Sequence, residues 1–207
     1  AVIGQTSWHA KQGADALEVQ WQQRPQGALD SAQIEIQLRE AATQGGGFAF
    51  HRRGAVDDAE QRASRKIEAL YSAPYLAHAT LEPMNCTAQV KDGKVTLWVP
   101  TQVPGMARDM AAQVAGVPKD AVTVHVTLLG GGFGRRLEVD FVAQAVRVAM
   151  ACAGRPVQLL YSREEDMAHD FYRPAQAALL RASIDASGAV SSLRIQSAGD
   201  AITPRWF

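Results

Sequence analysis

The run Leu128-Leu129-Gly130-Gly131-Gly132-Phe133-Gly134-Arg135-Arg136 limits the possible folds more than any other stretch. Ahead of it, Val122, Val124, Val126 and Leu128 alternate with Thr123, His125 and Thr127, the period of a half-buried strand. Behind it, Val139, Val142, Ala143, Val146 and Met150 fall at helical spacing, with Glu138 and Asp140 suited to the positive end of a helix. A strand therefore has to become a helix through a glycine-rich loop. Glycine has no Cβ, so such a loop can take positive φ and come close to a ligand. Its successive N–H groups, with a helix start behind them, form a ready cradle for an anion. Arg135 and Arg136 are expected to pair phosphate oxygens there through their forked guanidinia.

The loop is neither of the two common phosphate binders. A P-loop needs Gly-Lys followed by Ser or Thr, which is absent. The dinucleotide pattern G-x-G-x-x-G fails because the sixth position from Gly130 is Arg135. A tight turn that only permits close packing is the bland alternative. Phe133 weighs against it, since a bulky apolar side chain within a glycine run has to pack somewhere, and a cofactor pocket is one such place.

Charge narrows the function classes. Lysine plus arginine and aspartate plus glutamate both number 21, so no basic excess points to nucleic acid. No apolar run is long enough to span a membrane. Cys86 and Cys152 fit no zinc spacing and no disulfide framework, and both are expected to be packing residues. The chain opens on Ala1-Val2-Ile3-Gly4, as if already within a strand, and closes on Trp206-Phe207. Both ends look cut, which suggests part of a longer polypeptide. Any targeting segment then lies elsewhere, and the compartment, cytoplasmic or periplasmic, stays open.

Along the chain, Thr6 or Ser7 is expected to cap a helix through Ala16, and Leu17, Val19 and Trp21 alternate like a strand before the break at Arg24-Pro25-Gln26-Gly27. Asp30 or Ser31 starts a second helix to about Ala42, and Gly45-Gly46-Gly47 forms a linker. Phe48 to Arg53 is a short extended piece, Asp57 to Arg62 a helical turn, and Lys66 to Ser72 a strand. The proline-bracketed segment Pro74 to Asn85 is expected to be a loop, in which His78 and Glu82 form a weak acid–base or pocket pair. After the turn Lys91-Asp92-Gly93-Lys94, Val95 to Val99 is a strand. Gly105 to Ala115 is a helix with Met106, Met110 and Val114 on one face, stopped by Gly116. His125 is expected to be structural. Val157 to Tyr161 is a strand, Ser162 to Asp166 a capped acidic turn in preference to a cation site, and Gln176 to Ile184 pairs back with Val190 to Ser197 across Asp185-Ala186-Ser187-Gly188. This order implies an α+β fold, with helices on one side of a mixed sheet. Residues 1–53 are expected to be part of a small α/β domain with its linker, and residues 54–207 a second domain.

Several stretches together resemble the large, molybdenum-binding subunit of the xanthine dehydrogenase/aldehyde oxidase family, and most of all its isoquinoline 1-oxidoreductase beta-subunit branch. They are Pro74-Tyr75-Leu76-Ala77-His78-Ala79 with Leu81-Glu82-Pro83-Met84-Asn85-Cys86, then Trp98-Val99-Pro100-Thr101-Gln102, then Gly130 to Arg136, then Ser162-Arg163-Glu164-Glu165-Asp166-Met167. The resemblance covers roughly residues 60–200, and residues 1–50 look like part of the hammerhead-like domain that precedes it. It implies a molybdopterin cofactor, as the cytosine dinucleotide in bacteria, and hydroxylation of N-heteroaromatics or aldehydes with oxygen from water. It also implies a partner subunit carrying iron–sulfur clusters, and no direct metal ligand in this chain.

By the same resemblance, Gln102 hydrogen-bonds an oxo ligand of the metal, and Gly131, Gly132, Phe133 and Gly134 pack beside it. Arg135 stands where other branches carry glycine, and Arg136 where they carry lysine. Leu137 stands where xanthine-specific members carry a glutamate, so xanthine is an unfavoured substrate. His78, Glu82 and Leu137 are the candidate pocket residues. The general-base glutamate is expected outside this chain, which alone should be inactive. The competing readings are a non-enzymatic interaction module and a nucleotide-phosphate-binding domain.

Overall fold

The computed structural model describes residues 1–22 and 29–202. The break expected at Arg24–Gly27 and the closing Trp206-Phe207 lie outside them. In chain order the elements are α1 (Ser7–Asp15), α2 (Ser31–Gln44), α3 (Val56–Gln61), β1 (Arg65–Ala73), β2 (Asn85–Lys91), β3 (Lys94–Val99), α4 (Pro104–Ala115), β4 (Val122–Val126), α5 (Asp140–Met150), β5 (Val157–Leu160), α6 (Arg163–Ala168), β6 (Gln176–Ile184) and β7 (Val190–Gly199). Contacts divide the chain into two units, one of Ala1–Trp21 with Ala77–Tyr172, the other of Gln22–Leu76 with Arg173–Phe207. The boundary expected at residues 53/54 falls inside the second unit. The reason is topological: β1 pairs along its whole length with β6, so the chain leaves this unit after β1 and returns for its hairpin.

The first unit holds a four-stranded sheet in the order β4-β3-β2-β5. β3 and β4 are parallel, and the other pairs are antiparallel. Alternation puts Cys86 and Ala88 of β2, Val95, Leu97 and Val99 of β3 and Val122 of β4 on one buried face. α4 and α5 cover that face, contributing Ala107, Ala111 and Ala112 from one and Phe141, Val142, Ala145, Val146 and Ala149 from the other. The helices thus lie on one side of a mixed sheet. α4 does not bury the expected methionine face: Met106 is exposed, and the small alanines let the helix sit close to the strands. Gly116 ends α4 at φ +67°, the left-handed position that favours glycine.

Three other expectations differ from what forms. Leu17, Val19 and Trp21 are irregular and exposed, because no strand among the described residues pairs with them. β2 is not among the expected strands, although Cys86, Ala88 and Val90 alternate with Asn85, Thr87 and Gln89, and it becomes a central strand between β3 and β5. β4 stops at Val126, so Leu128 is loop and is 95% exposed. Cys86 is buried as expected, and burial pushes its thiol up to about 12, outside the reactive range. Cys152 is only half-buried.

The second unit is a three-stranded antiparallel sheet, β1-β6-β7. The expected hairpin forms, with Asp185 Oδ1 accepting from the Ser187 and Ala189 N–H groups across the turn. α2 is capped by Asp30, which accepts from the Ala32 N–H at 2.9 Å, and buries Ala42. Its alternating Ile34, Ile36 and Leu38 do not prevent the helix. The expected strands that form therefore belong to two sheets, one in each unit.

Candidate functional site

Strand direction assembles the site. β3 and β4 run parallel, so the loop after β3 (residues 100–103) and the glycine loop after β4 leave the same edge of the sheet. β2 is antiparallel to β3, which brings its entry segment, with His78 and Glu82, to that edge. β5 is antiparallel to β2, and its exit delivers α6 and Asp170 there as well. All of these residues lie within the first unit. Ligand sites in open sheets commonly form at the carboxyl ends of parallel strands.

Gln102 is packed on the glycine loop. The Gly134 N–H donates to its Oε1 at 3.2 Å, and a Cβ on Gly132 would lie only 2.6 Å from that oxygen. The Gln102 N–H donates to the Arg136 carbonyl at 3.2 Å. With Oε1 engaged, the donor end of the amide, Nε2, has no partner among the described residues. The backbone N–H groups of Gly131, Gly132 and Phe133 likewise have none among the described residues. Gly131 and Gly134 take φ of +104° and +103°, and Phe133 itself takes +53°. A bulky residue held in the left-handed region is strained, and such strain collects at functional sites. The Phe133 ring is 72% exposed, with its edge folded back over Gly131.

The twin arginines do not serve as expected. Both side chains are buried beneath the loop, at 1% and 0% exposure, and their partners belong to the chain itself. Arg136 Nε donates to the Gly131 carbonyl at 2.7 Å, Nη1 to the Pro100 carbonyl, and Nη2 to both the Glu82 carbonyl and Glu82 Oε2. Burial pulls the Arg136 guanidinium below its ordinary value, with the Glu82 charge opposing. Arg135 makes a two-pronged pair with Asp140, at 2.8 and 3.0 Å, and stacks over Phe171. Its Nε lies 3.0 Å from Asp170 Oδ1, an ionic contact too bent to count as a hydrogen bond. Burial opposes the Arg135 charge too, but the Asp140 bonds and the Asp170 charge outweigh it and leave the guanidinium above its ordinary value. These guanidinia shape the loop, and neither is free to meet a phosphate.

Glu82 is also a strut. Its Oε2 accepts from the Gly130 N–H at 2.7 Å, its own N–H donates to the Gly130 carbonyl at 3.1 Å, and Oε1 accepts from Asn85. A Cβ on Gly130 would lie 2.4 Å from Glu82 Cβ. Gly130→Ala is therefore expected to push these segments apart and cost about 1–3 kcal/mol, measured by urea unfolding. A variant as stable as the wild type would show that the two backbones are not in this contact.

His78 donates its backbone N–H to Asp170 at 2.5 Å and holds both oxygens of that carboxylate at 3.1 Å from Nδ1. Leu137 lies in a single 3-10 turn, Arg135–Leu137, at the loop's exit and is partly exposed. Asp166 is buried and paired with Arg163, which also donates to the carbonyls of Thr80 and Leu81. The acidic turn is thus capped by Ser162, yet part of it is interior. Asp170 was missed in the sequence; it follows no periodic pattern, and its partners are remote along the chain. Among the described residues no cluster of His, Cys, Asp and Glu is arranged to hold a metal ion. No helix among them is long and apolar enough to cross a membrane.

A family model described as the molybdopterin cofactor-binding domain matches residues 40–201. The chain belongs to that family. This molybdopterin cofactor-binding domain is 30% identical over 200 residues to a membrane-bound aldehyde dehydrogenase [pyrroloquinoline-quinone] of Gluconacetobacter polyoxogenes, a match covering 95% of the chain and 26% of the relative. It is 28% identical over 222 residues to the isoquinoline 1-oxidoreductase subunit beta of Brevundimonas diminuta, covering 100% of the chain and 28% of the relative. Its fold is similar to quinoline 2-oxidoreductase from Pseudomonas putida 86, with a TM-score of 0.59 and 22% identity, over 70% of this chain and 19% of that one. The domain thus spans about a quarter of the length of the curated relatives it matches.

Proposed function

We propose that this domain forms part of the cofactor site of a molybdenum hydroxylase, an oxidoreductase acting on N-heteroaromatics or aldehydes with oxygen from water. The cofactor in this reading is molybdopterin in its cytosine dinucleotide form, and electrons leave through a partner subunit with iron–sulfur clusters. The observation that carries the proposal is the seating of Gln102. Its carbonyl end is held by the Gly134 N–H, leaving an N–H₂ donor beside three unspent backbone N–H groups. A set of donors without acceptors suits a group rich in oxygen.

In this reading the loop of Gly131 to Gly134 and Gln102 would hold the cofactor, whose metal supplies the hydroxylation chemistry when bound. Gln102 Nε2 would donate to an oxygen on the metal and orient it. Arg135, Arg136 and Glu82 contribute by fixing the loop. Leu137 and the exposed Phe133 would offer apolar surface to a flat substrate. A nucleotide-phosphate site is less well supported, because both guanidinia that would serve it are internally paired. The glycine loop as a mere protein interface would leave the Gln102 geometry without a purpose.

The test is Gln102→Leu in the cofactor-loaded enzyme that contains this chain. Molybdenum content is expected to stay near wild type while kcat/KM falls about 10- to 100-fold. Unchanged kcat/KM would remove Gln102 from the site.

A further inference from the structure

His78 carries an atom that the loop architecture does not use. A carboxylate only accepts hydrogen bonds, so the ring nitrogen against Asp170, Nδ1, must carry the hydrogen. In the neutral ring, that leaves Nε2 as an acceptor. Asp170 is itself held, being buried to 2% and in ionic contact with Arg135, so the ring cannot turn without breaking a buried arrangement. The other end of the ring lies against the glycine loop: a Cβ on Gly134 would be 3.5 Å from Nε2 and 3.9 Å from Cδ2. Nε2 has no partner among the described residues, and the side chain keeps 9% exposure. Gly134 is the residue whose N–H grips Gln102. Two oriented side-chain nitrogens, the Gln102 donor and the His78 acceptor, therefore flank one glycine.

We propose that His78 is a ligand-contacting residue of this site, its Nε2 accepting a hydrogen bond from an N–H or O–H group seated at the glycine loop. The proposal rests on the cofactor-site reading above. Two sources can supply that donor, an N–H of the pterin or a protonated heteroatom of the substrate. Asp170 acts through His78 as a positioning residue: it sets the direction of the ring and the tautomer of the neutral imidazole, in which Nε2 accepts. The pairing is complementary, because Gln102 recognises a bare oxygen while His78 recognises a protonated atom.

The deciding variant is His78→Asn. An asparagine amide can donate to Asp170 from about where Nδ1 sits, yet does not extend to Nε2, so the bracing survives and the acceptor is lost. His78→Phe, which removes both, reports the structural part by comparison. Both are made in the cofactor-loaded enzyme and read by melting temperature, by pterin released and quantified per polypeptide, and by KM and kcat. His78→Asn is expected to melt near wild type and well above His78→Phe. It is also expected to lose about fivefold to tenfold either in retained pterin or in substrate KM, the worth of one hydrogen bond. Pterin loss assigns the donor to the cofactor, and a raised KM at full pterin content assigns it to the substrate. His78→Asn with wild-type pterin content, KM and kcat would overturn the proposal and leave His78 a brace. Should His78→Asn melt as low as His78→Phe, the claim that a donor at the Nδ1 position is what the ring contributes to bracing Asp170 would be overturned, and with it the separation of brace from acceptor. A wild-type enzyme without pterin would instead overturn the cofactor-site reading itself, and the two failures are separately visible.

Discussion

Arg136→Leu is expected to destabilise the first unit by about 3–5 kcal/mol, the largest single effect in the glycine-loop region. The guanidinium is fully buried and joins four acceptors from three segments: the carbonyls of Gly131, Pro100 and Glu82 and the Glu82 carboxylate. Leucine fills part of the volume but leaves the Gly131 and Pro100 carbonyls without donors, while the Glu82 carbonyl keeps the Thr80 hydroxyl. Each buried polar group stripped of its partner costs about 1–3 kcal/mol. Arg136→Lys should recover part of the loss, because an ammonium offers three donors but cannot span the fork. Unfolding in urea followed by circular dichroism measures both. A leucine variant within 1 kcal/mol of wild type, on the scale of an ordinary surface change, would mean that the loop is held by its own backbone and not by this side chain.

Asp170→Asn is the second. The carboxylate is 2% exposed and faces the His78 ring, the His78 N–H and Arg135 Nε. Removing its charge leaves Arg135 with Asp140 as its remaining carboxylate partner among the described residues, and weakens the acceptor that orients His78. The expected cost is about 3 kcal/mol, that of breaking one partner out of a buried pair. Asp140→Asn should cost less, because Asp140 is more open to water, at 17%. Thermal unfolding of the two variants side by side checks the order. If Asp140→Asn proved the more damaging, the two-pronged pair, and not the His78 bridge, would be the main anchor of Arg135.

Much of the first unit was legible before coordinates. The alternation in β4, the stop at Gly116 and the glycine run have local causes, each within a few residues. The nearness of Gln102 to the loop followed from resemblance, and parallel pairing of β3 with β4 explains it physically. The arginines were misread because their partners are distant along the chain. Glu82 lies 54 residues before Arg136. A guanidinium suits a phosphate and a carboxylate equally well, so residue type alone does not reveal which will be met. Asp170 was invisible for the same reason. The strand expected at Leu17–Trp21 had the right period but no neighbour among the described residues, and an alternating stretch without a partner has no ladder to join. In β2, Asn85, Thr87 and Gln89 lie on the face away from the core and alternate with the small Cys86 and Ala88, a weakly apolar stripe beside Pro83 whose place is set by flanking strands on both sides.

The site segments all emerge at one margin of the four-stranded sheet, and tight reversals lie at the opposite margin. The turn at Asp92-Gly93, the 3-10 turn Lys119–Ala121 and the bend at Gly154 sit there. A strand's length separates them from Gln102, His78 and the glycine run. Engineering can exploit this polarity. An affinity handle, a dye or a new pair of termini placed at Asp92-Gly93 would report on or tether the protein while the working rim stays untouched.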